Sequence, residues 1–229
     1  ETRDQQGGEE TRMERRIDVD PNNPINIIRN GFHHFKTNEY DKHPERFEEL
    51  KHGQSPKFLV FACSDSRVCP SRVLDFKPGE AFMTRNIANM VPEFNQLRYS
   101  GVGAVIEYAV GTLGVENIVV IGHSRCGGIE ALMKLDEHEP LPTDFVHDWI
   151  KIGLPAKRQV LMDFPDKPFE EQCRICERKA VNVSLNNLLT YPYVKTRVEE
   201  RKLKLMGGHY DFVAGKFSLW DTDNRPLLK

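Results

Sequence analysis

Between residues 57 and 135, short and nearly continuous apolar runs alternate with stretches whose apolar positions recur every three to four residues. Lys57–Cys63 and Asn117–Gly122 are apolar runs of strand length, and Ala81–Thr84 is a shorter one. Ser100–Leu113 carries helical spacing, and a helix is predicted from Gly127 to Leu135, directly after the last of these runs. Strands without polar alternation are buried on both faces, as in a sheet covered by helices, so this order predicts an α/β fold with a mainly parallel sheet. Upstream, Pro24 stands at a helix start, and Ile27, Ile28, Phe32 and Phe35, then Phe47 and Leu50, recur at helical spacing as far as Gly53. Residues 1–23 are polar and lack periodicity, which predicts a flexible arm. Asp136–Pro168 is rich in proline and charge and is expected to hold loops and short helices, while Cys173–Leu189 again predicts a helix. Lys202–Met206 and Tyr210–Trp220 bracket Gly207–Gly208, the pattern of a terminal hairpin.

The composition narrows what such a fold does. With 229 residues and 39% hydrophobic content the chain can bury one sizeable core, so residues 24–229 are read as a single domain. No apolar run is long enough to cross a bilayer, and Lys plus Arg number 32 against 34 Asp plus Glu, which gives no positive field for nucleic acid or anionic lipid. Five cysteines are an odd set in a chain too large to need disulfide staples, so they point to a reducing compartment and to metal or catalytic work. The run Glu1–Arg16 has neither a signal-peptide apolar core nor a clear transit-peptide composition, so any targeting segment is expected to have been removed.

Two predicted strand ends carry the chemistry: Cys63-Ser64-Asp65-Ser66-Arg67 and His123-Ser124-Arg125-Cys126-Gly127-Gly128. Ligands of α/β sheets collect at the carboxyl ends of the strands, so both clusters belong to one pocket. Cys63, His123 and Cys126 are three ligands of the type zinc prefers, and three leave a fourth position open, the arrangement of a catalytic rather than a structural site. Two thiolates would balance the charge of the cation. Asp65 and Arg67 follow Cys63 at intervals of two, so an extended segment would turn all three side chains the same way. A carboxylate there can accept a hydrogen bond from water at the metal and aim the hydroxide lone pair, and an arginine forked onto it would keep it from becoming a ligand. Gly127 and Gly128 let a helix begin close to the metal, with amides and a dipole suited to an anion.

These segments, together with Gly53-Gln54-Ser55-Pro56-Lys57, Arg85-Asn86-Ile87-Ala88-Asn89, Glu107-Tyr108-Ala109, Ile152-Gly153-Leu154-Pro155-Ala156-Lys157 and Asn187-Leu188-Leu189-Thr190-Tyr191-Pro192, resemble the plant-type β-carbonic anhydrases from about Ile25 to Trp220. The resemblance implies four parallel strands with an added antiparallel edge strand, flanked by helices. It implies one Zn²⁺ per chain on Cys63, His123 and Cys126, and a lyase that hydrates carbon dioxide to bicarbonate by attack of hydroxide generated at the zinc. It further implies catalytic roles for Asp65, Arg67, Gln54 and Tyr108, and a substrate pocket of Phe82, Ile87 and Gly127. The minimal unit is expected to be a homodimer, commonly assembled to octamers in plants, with helices 24–53 packed on the partner subunit. Gln54, Phe82 and Tyr108 are expected to reach across the interface, which would leave a monomer inactive. Chloroplast stroma is the favoured compartment, with cytosol and mitochondrion as the others.

Two departures stand out. Many plant relatives carry a histidine one helical turn after the tyrosine, where this chain has Thr112, so proton export is expected to use buffer, or Tyr108 with water. Bicarbonate-gated bacterial relatives carry a tryptophan and a glycine where this chain has Val60 and Ala62, so an open form with Asp65 held off the metal is expected. The rival readings are a hydrolase of carbon disulfide or carbonyl sulfide on the same zinc site, and a zinc-containing binding protein without catalysis. Cys173-x-x-Cys176 is read as a pair of packing thiols, with a redox or second zinc site as the alternative, Cys69 is read as structural, and no partner is identified for His209.

Overall fold

The computed structural model describes residues 20, 22–137, 139 and 143–228. The arm expected over residues 1–23 lies almost wholly outside them. The described residues form two compact units, divided between Gly53 and Gln54.

The first unit is helical. Helix α1 (Pro24–Phe35) starts where Pro24, which has no N–H to satisfy, follows an Asn23 side chain that caps the Ile25 amide at 3.0 Å. A π-helical turn, Lys36–Tyr40, leads to α2 (Pro44–Leu50), and the Phe47 ring packs against Tyr40 (4.6 Å) and Phe35 (5.9 Å). Ile25, Ile28 and Phe32 remain 64, 74 and 64% exposed, a stripe that no described residue covers.

The second unit is a five-stranded sheet in the order β2-β1-β3-β4-β5. Strands β1 (Phe58–Cys63), β2 (Ala81–Asn86), β3 (Asn117–His123) and β4 (Lys204–Asp211) run parallel, and β5 (Lys216–Asp221) closes the edge antiparallel to β4. Leu59, Phe61, Ile118 and Val120 share one buried cluster, while Val60, Ala62, Val119 and Ile121 share another, so both central strands are buried on both faces. The connecting helices are α3 (Pro70–Val73), α4 (Ser100–Glu107), α5 (Gly127–Lys134), α6 (Val146–Ile150), α7 (Leu154–Asp163), α8 (Phe169–Leu188) and α9 (Pro192–Glu199). Helix α8 starts four residues earlier than its apolar spacing predicts, because Pro168 takes the N-cap and Glu170 and Glu171 suit the positive end of the helix dipole. Among the described residues no helix is long and apolar enough to cross a membrane.

The terminal hairpin is corrected. Gly207 and Gly208 lie inside β4, not at a turn, and the chain reverses at residues 212–215. The pair is there for close approach: a Cβ on Gly207 would sit 2.5 Å from the Trp220 ring, which β5 lays across the backbone. Asn182 on α8 fixes that ring by accepting from its Nε1 at 2.8 Å, and the Arg178 guanidinium stacks on it at 4.3 Å. Gly207→Ala is therefore expected to cost about 1–3 kcal/mol, measured as a lower urea midpoint at unchanged slope; an unchanged midpoint would mean that Trp220 moves freely.

Candidate metal centre

Register puts the two chemistry-bearing segments side by side. Ala62 pairs with Ile121, so Cys63 and His123 leave the sheet at neighbouring carboxyl ends. A ligand atom from each of Cys63, His123 and Cys126 lies within 4.8 Å of the others, and all three residues are buried. The His123 Nδ1 is 2.9 Å from the Ser124 carbonyl, which assigns the ring proton to Nδ1 and turns the Nε2 lone pair inward. That Nε2 is buried without a hydrogen-bond partner. Such an orphan is what a metal ligand looks like when the cation is left out of account.

The thiols agree. Hydrogen bonding with Cys126, aided by His123 and the Asp65 backbone, pulls the Cys63 thiol down to about 4 against the penalty of burial. The same hydrogen bond, together with burial, drives Cys126 the other way. Protein groups alone thus stabilise one thiolate of the pair, and a divalent cation stabilises the second. Cys126 occupies the N-cap of α5; its side chain makes no capping hydrogen bond, yet the Gly128 and Ile129 amides favour its thiolate. The helix terminus thus works on the ligand sulfur, not only on an anion as its glycines predict.

Asp65 and Arg67 do not lie on an extended segment. The chain turns after Cys63, with Ser64 N donating to the Asn86 carbonyl and Arg67 N donating to Asp65 Oδ1 at 2.9 Å. An aspartate commonly caps the backbone two residues on. The turn lets Arg67 fork back onto Asp65, Nε to Oδ1 at 2.9 Å and Nη2 to Oδ2 at 2.6 Å, and this holds the carboxyl well below the usual carboxylate range. Arg67 Nη2 also reaches the Arg125 carbonyl at 3.3 Å, so one guanidinium ties the two ligand loops together.

The other residues selected from the sequence fall in two groups. Ile87 is 40% exposed and lies against the start of α5, where a Cβ on Gly128 would sit 2.8 Å from the Ala88 Cβ and 3.1 Å from Ile87 Cγ2. Beside Ile87 a groove of about 560 Å³ opens, lined also by Ser64, Arg85 and Trp149. Phe82 and the half-exposed Tyr108 face each other with ring centroids 5.8 Å apart, Tyr108 opening a π-helical turn that ends at the exposed Thr112. Gln54 is exposed. Among the described residues no hydrogen bond joins Gln54, Phe82 or Tyr108 to the cysteine–histidine cluster.

Sequence reasoning missed two supports of the site. Arg85 Nε donates to the Cys63 carbonyl at 2.8 Å and its Nη2 to the Asp65 carbonyl; its place at the carboxyl end of β2 was the available signal. Phe212 lies 4.5 Å under the Arg67 guanidinium and 6.2 Å from the His123 ring, and nothing local to its position in the chain marks it. His209 does have a partner, the buried Glu177 of α8, at 2.9 Å. All five cysteines are free, and burial raises Cys173 to about 11 and Cys176 to about 12, as inert packing thiols require.

Comparison with known proteins agrees with this geometry. A family model described as carbonic anhydrase matches residues 58–217. Beta carbonic anhydrase 3 of Arabidopsis thaliana is 52% identical over 208 residues, 90% of this chain and 81% of that protein. The solved β-carbonic anhydrase CcaA is similar at a TM-score of 0.81 and 31% identity, covering 90% of this chain and 92% of that one. One of two tetrameric β-carbonic anhydrases from the filamentous ascomycete Sordaria macrospora gives 0.76 and 25%, covering 90% and 97%.

The close approach at Gly128 yields a test. Gly128→Ala is expected to lose about 1–3 kcal/mol of stability and to release zinc faster to a chelator, because the start of α5, with Cys126, must back away from Ala88. Gly127→Ala, where the added methyl meets open space, is expected to leave both unchanged.

Proposed function

The chain belongs to the β class of the carbonic anhydrase family and interconverts carbon dioxide and bicarbonate with one zinc ion; from that premise we propose which of its residues carry the reaction and how many chains a site needs. When bound to Cys63, His123 and Cys126, zinc is a Lewis acid that makes hydroxide available from water near neutral pH. Asp65 is the orienting acceptor. Held as a carboxylate by Arg67, it has no proton to give and takes a hydrogen bond from the nucleophile, aiming a lone pair at the substrate carbon. The fork that ionises Asp65 also occupies it, so it stays outside the group of potential ligands.

Carbon dioxide has no dipole and is held by an apolar wall, which Ile87 supplies from its own chain. Gln54 donates its amide to the developing bicarbonate oxygen, and Phe82 and Tyr108 complete the pocket across a dimer interface. Support for two-chain sites comes from the exposure of Gln54 and Tyr108, with no hydrogen bond from either to the cluster among the described residues, and from the exposed stripe of α1, which a second copy would cover. Proton export uses buffer, or Tyr108 with water, since Thr112 cannot titrate near neutrality. Chloroplast stroma is the compartment we assign, by resemblance to the plant-type class, and imaging of the whole gene product fused to a fluorescent protein tests it.

The buried Cys63–His123–Cys126 set beside the Asp65–Arg67 fork is the observation that carries this reading. Stopped-flow hydration of Asp65→Asn is expected to fall by roughly two orders of magnitude with zinc content unchanged; full activity in that variant would remove Asp65 from the mechanism. Co-expression of Asp65→Asn with Gln54→Ala chains tests the shared site. In a mixed dimer one site carries both lesions and the other neither, so activity is expected to recover to about a quarter of wild type by C2 symmetry, whereas single-chain sites would show no recovery.

A further inference from the structure

The backbone between β2 and the segment that follows is held in a conformation that side chains normally avoid. Ala88 (φ 59°, ψ 26°) and Asn89 (φ 48°) are consecutive non-glycine residues in the left-handed region, and both are buried. Such strain persists only where the surroundings over-determine it, and it gathers at functional sites. The clamps are visible. Asn86 spans the turn with its side-chain amide, accepting from Met90 N and donating to Met90 O, both at 2.9 Å. Beyond the turn, Val91 N donates to Ser184 Oγ at 3.0 Å and Asn187 Nδ2 donates to the Val91 carbonyl at 2.9 Å.

One clamp differs in kind. The Trp149 indole Nε1 donates at 2.8 Å to the carbonyl of Ile87, the residue whose side chain faces the open groove. Trp149 sits on the five-residue helix α6, which is anchored in turn to the start of α4: its ring packs edge-on against Tyr99 at 5.2 Å, and neighbouring Asp148 pairs with Arg98. The indole thus fixes the peptide plane between Ile87 and Ala88 from outside the sheet, and with it the direction of the Ile87 side chain.

Resting on the reading that Ile87 walls the carbon dioxide pocket, we propose that Trp149 is a positioning residue for substrate, holding Ile87 in place through its carbonyl. It touches neither zinc ligand nor nucleophile, so its loss acts on substrate affinity and not on the chemical step. The pocket must be shaped before a molecule without charge or dipole can be retained, and one hydrogen bond to a strained peptide decides that shape.

The test is steady-state hydration of carbon dioxide by the zinc-loaded enzyme, carrying Trp149→Phe, Ile87→Ala or both. Trp149→Phe keeps the ring against Tyr99 and removes only the N–H. It is expected to raise KM roughly three- to tenfold, the weight of one hydrogen bond to the main chain, with kcat and zinc content unchanged. Ile87→Ala is expected to raise KM by itself, and adding Trp149→Phe to it is expected to change KM less than about twofold, because both act through one side chain. An unchanged KM in Trp149→Phe while Ile87→Ala raises it overturns the role of Trp149 and leaves the pocket reading intact. A fall in kcat together with zinc loss in Trp149→Phe also overturns it, by showing a merely structural residue. If Ile87→Ala leaves KM unchanged, the pocket reading itself fails and takes this inference with it.

Discussion

Two thiols and an imidazole nitrogen packed within 4.8 Å of one another, out of water, cannot all be satisfied by protein hydrogen bonds. Ionising one cysteine raises the cost of ionising the other, and the His123 proton is already committed to the Ser124 carbonyl, which leaves Nε2 orphaned. A divalent cation resolves all three demands at once, and the surrounding structure is arranged around that need. Parallel pairing of β1 with β3 sets the two ligand loops next to each other, burial of both strands keeps solvent away, and α5 turns its first amides toward the Cys126 sulfur.

Arg67 does two jobs in this arrangement. Its fork onto Asp65 keeps the carboxylate ionised and engaged, and its reach to the Arg125 carbonyl braces one ligand loop against the other. Arg85 holds the first loop from β2, donating to the carbonyls of Cys63 and Asp65. The first ligand loop is therefore held by two guanidinium groups, Arg85 on its carbonyls and Arg67 on the Asp65 carboxylate, which leaves little freedom for that side chain to reorient. Rigid placement of this sort fixes where the Asp65 carboxylate stands beside the metal-binding cluster.

The strained turn after β2 shows how such placement is paid for. Two left-handed non-glycine residues cost on the order of 1–2 kcal/mol each, and Asn86, Trp149, Ser184 and Asn187 supply the hydrogen bonds that offset it. Helix α8 is the common support: Ser184 and Asn187 hold the segment after the turn, Glu177 receives His209 from β4, and Asn182 fixes the Trp220 ring over Gly207. A single long helix thus connects the pocket side of the sheet to its far edge.

The alternation of apolar runs and helical spacing was enough to place β1, β2 and β3 within a few residues, to call for a mainly parallel sheet, and to set Cys63, Asp65, Arg67, His123 and Cys126 at strand ends facing one pocket. These are short-range properties: a strand buried on both faces must be apolar throughout, and metal ligands must sit where such strands stop. The terminal hairpin was misread because Gly-Gly is a turn signal locally, whereas here the glycines admit the Trp220 ring from the next strand. Phe212 beneath Arg67, Glu177 beside His209 and Trp149 on the Ile87 carbonyl were equally out of reach. Each joins residues distant in the chain, and its existence depends on strand register and on how closely helices approach the sheet. Those quantities are settled by packing of the whole core, and no local pattern of residues carries them.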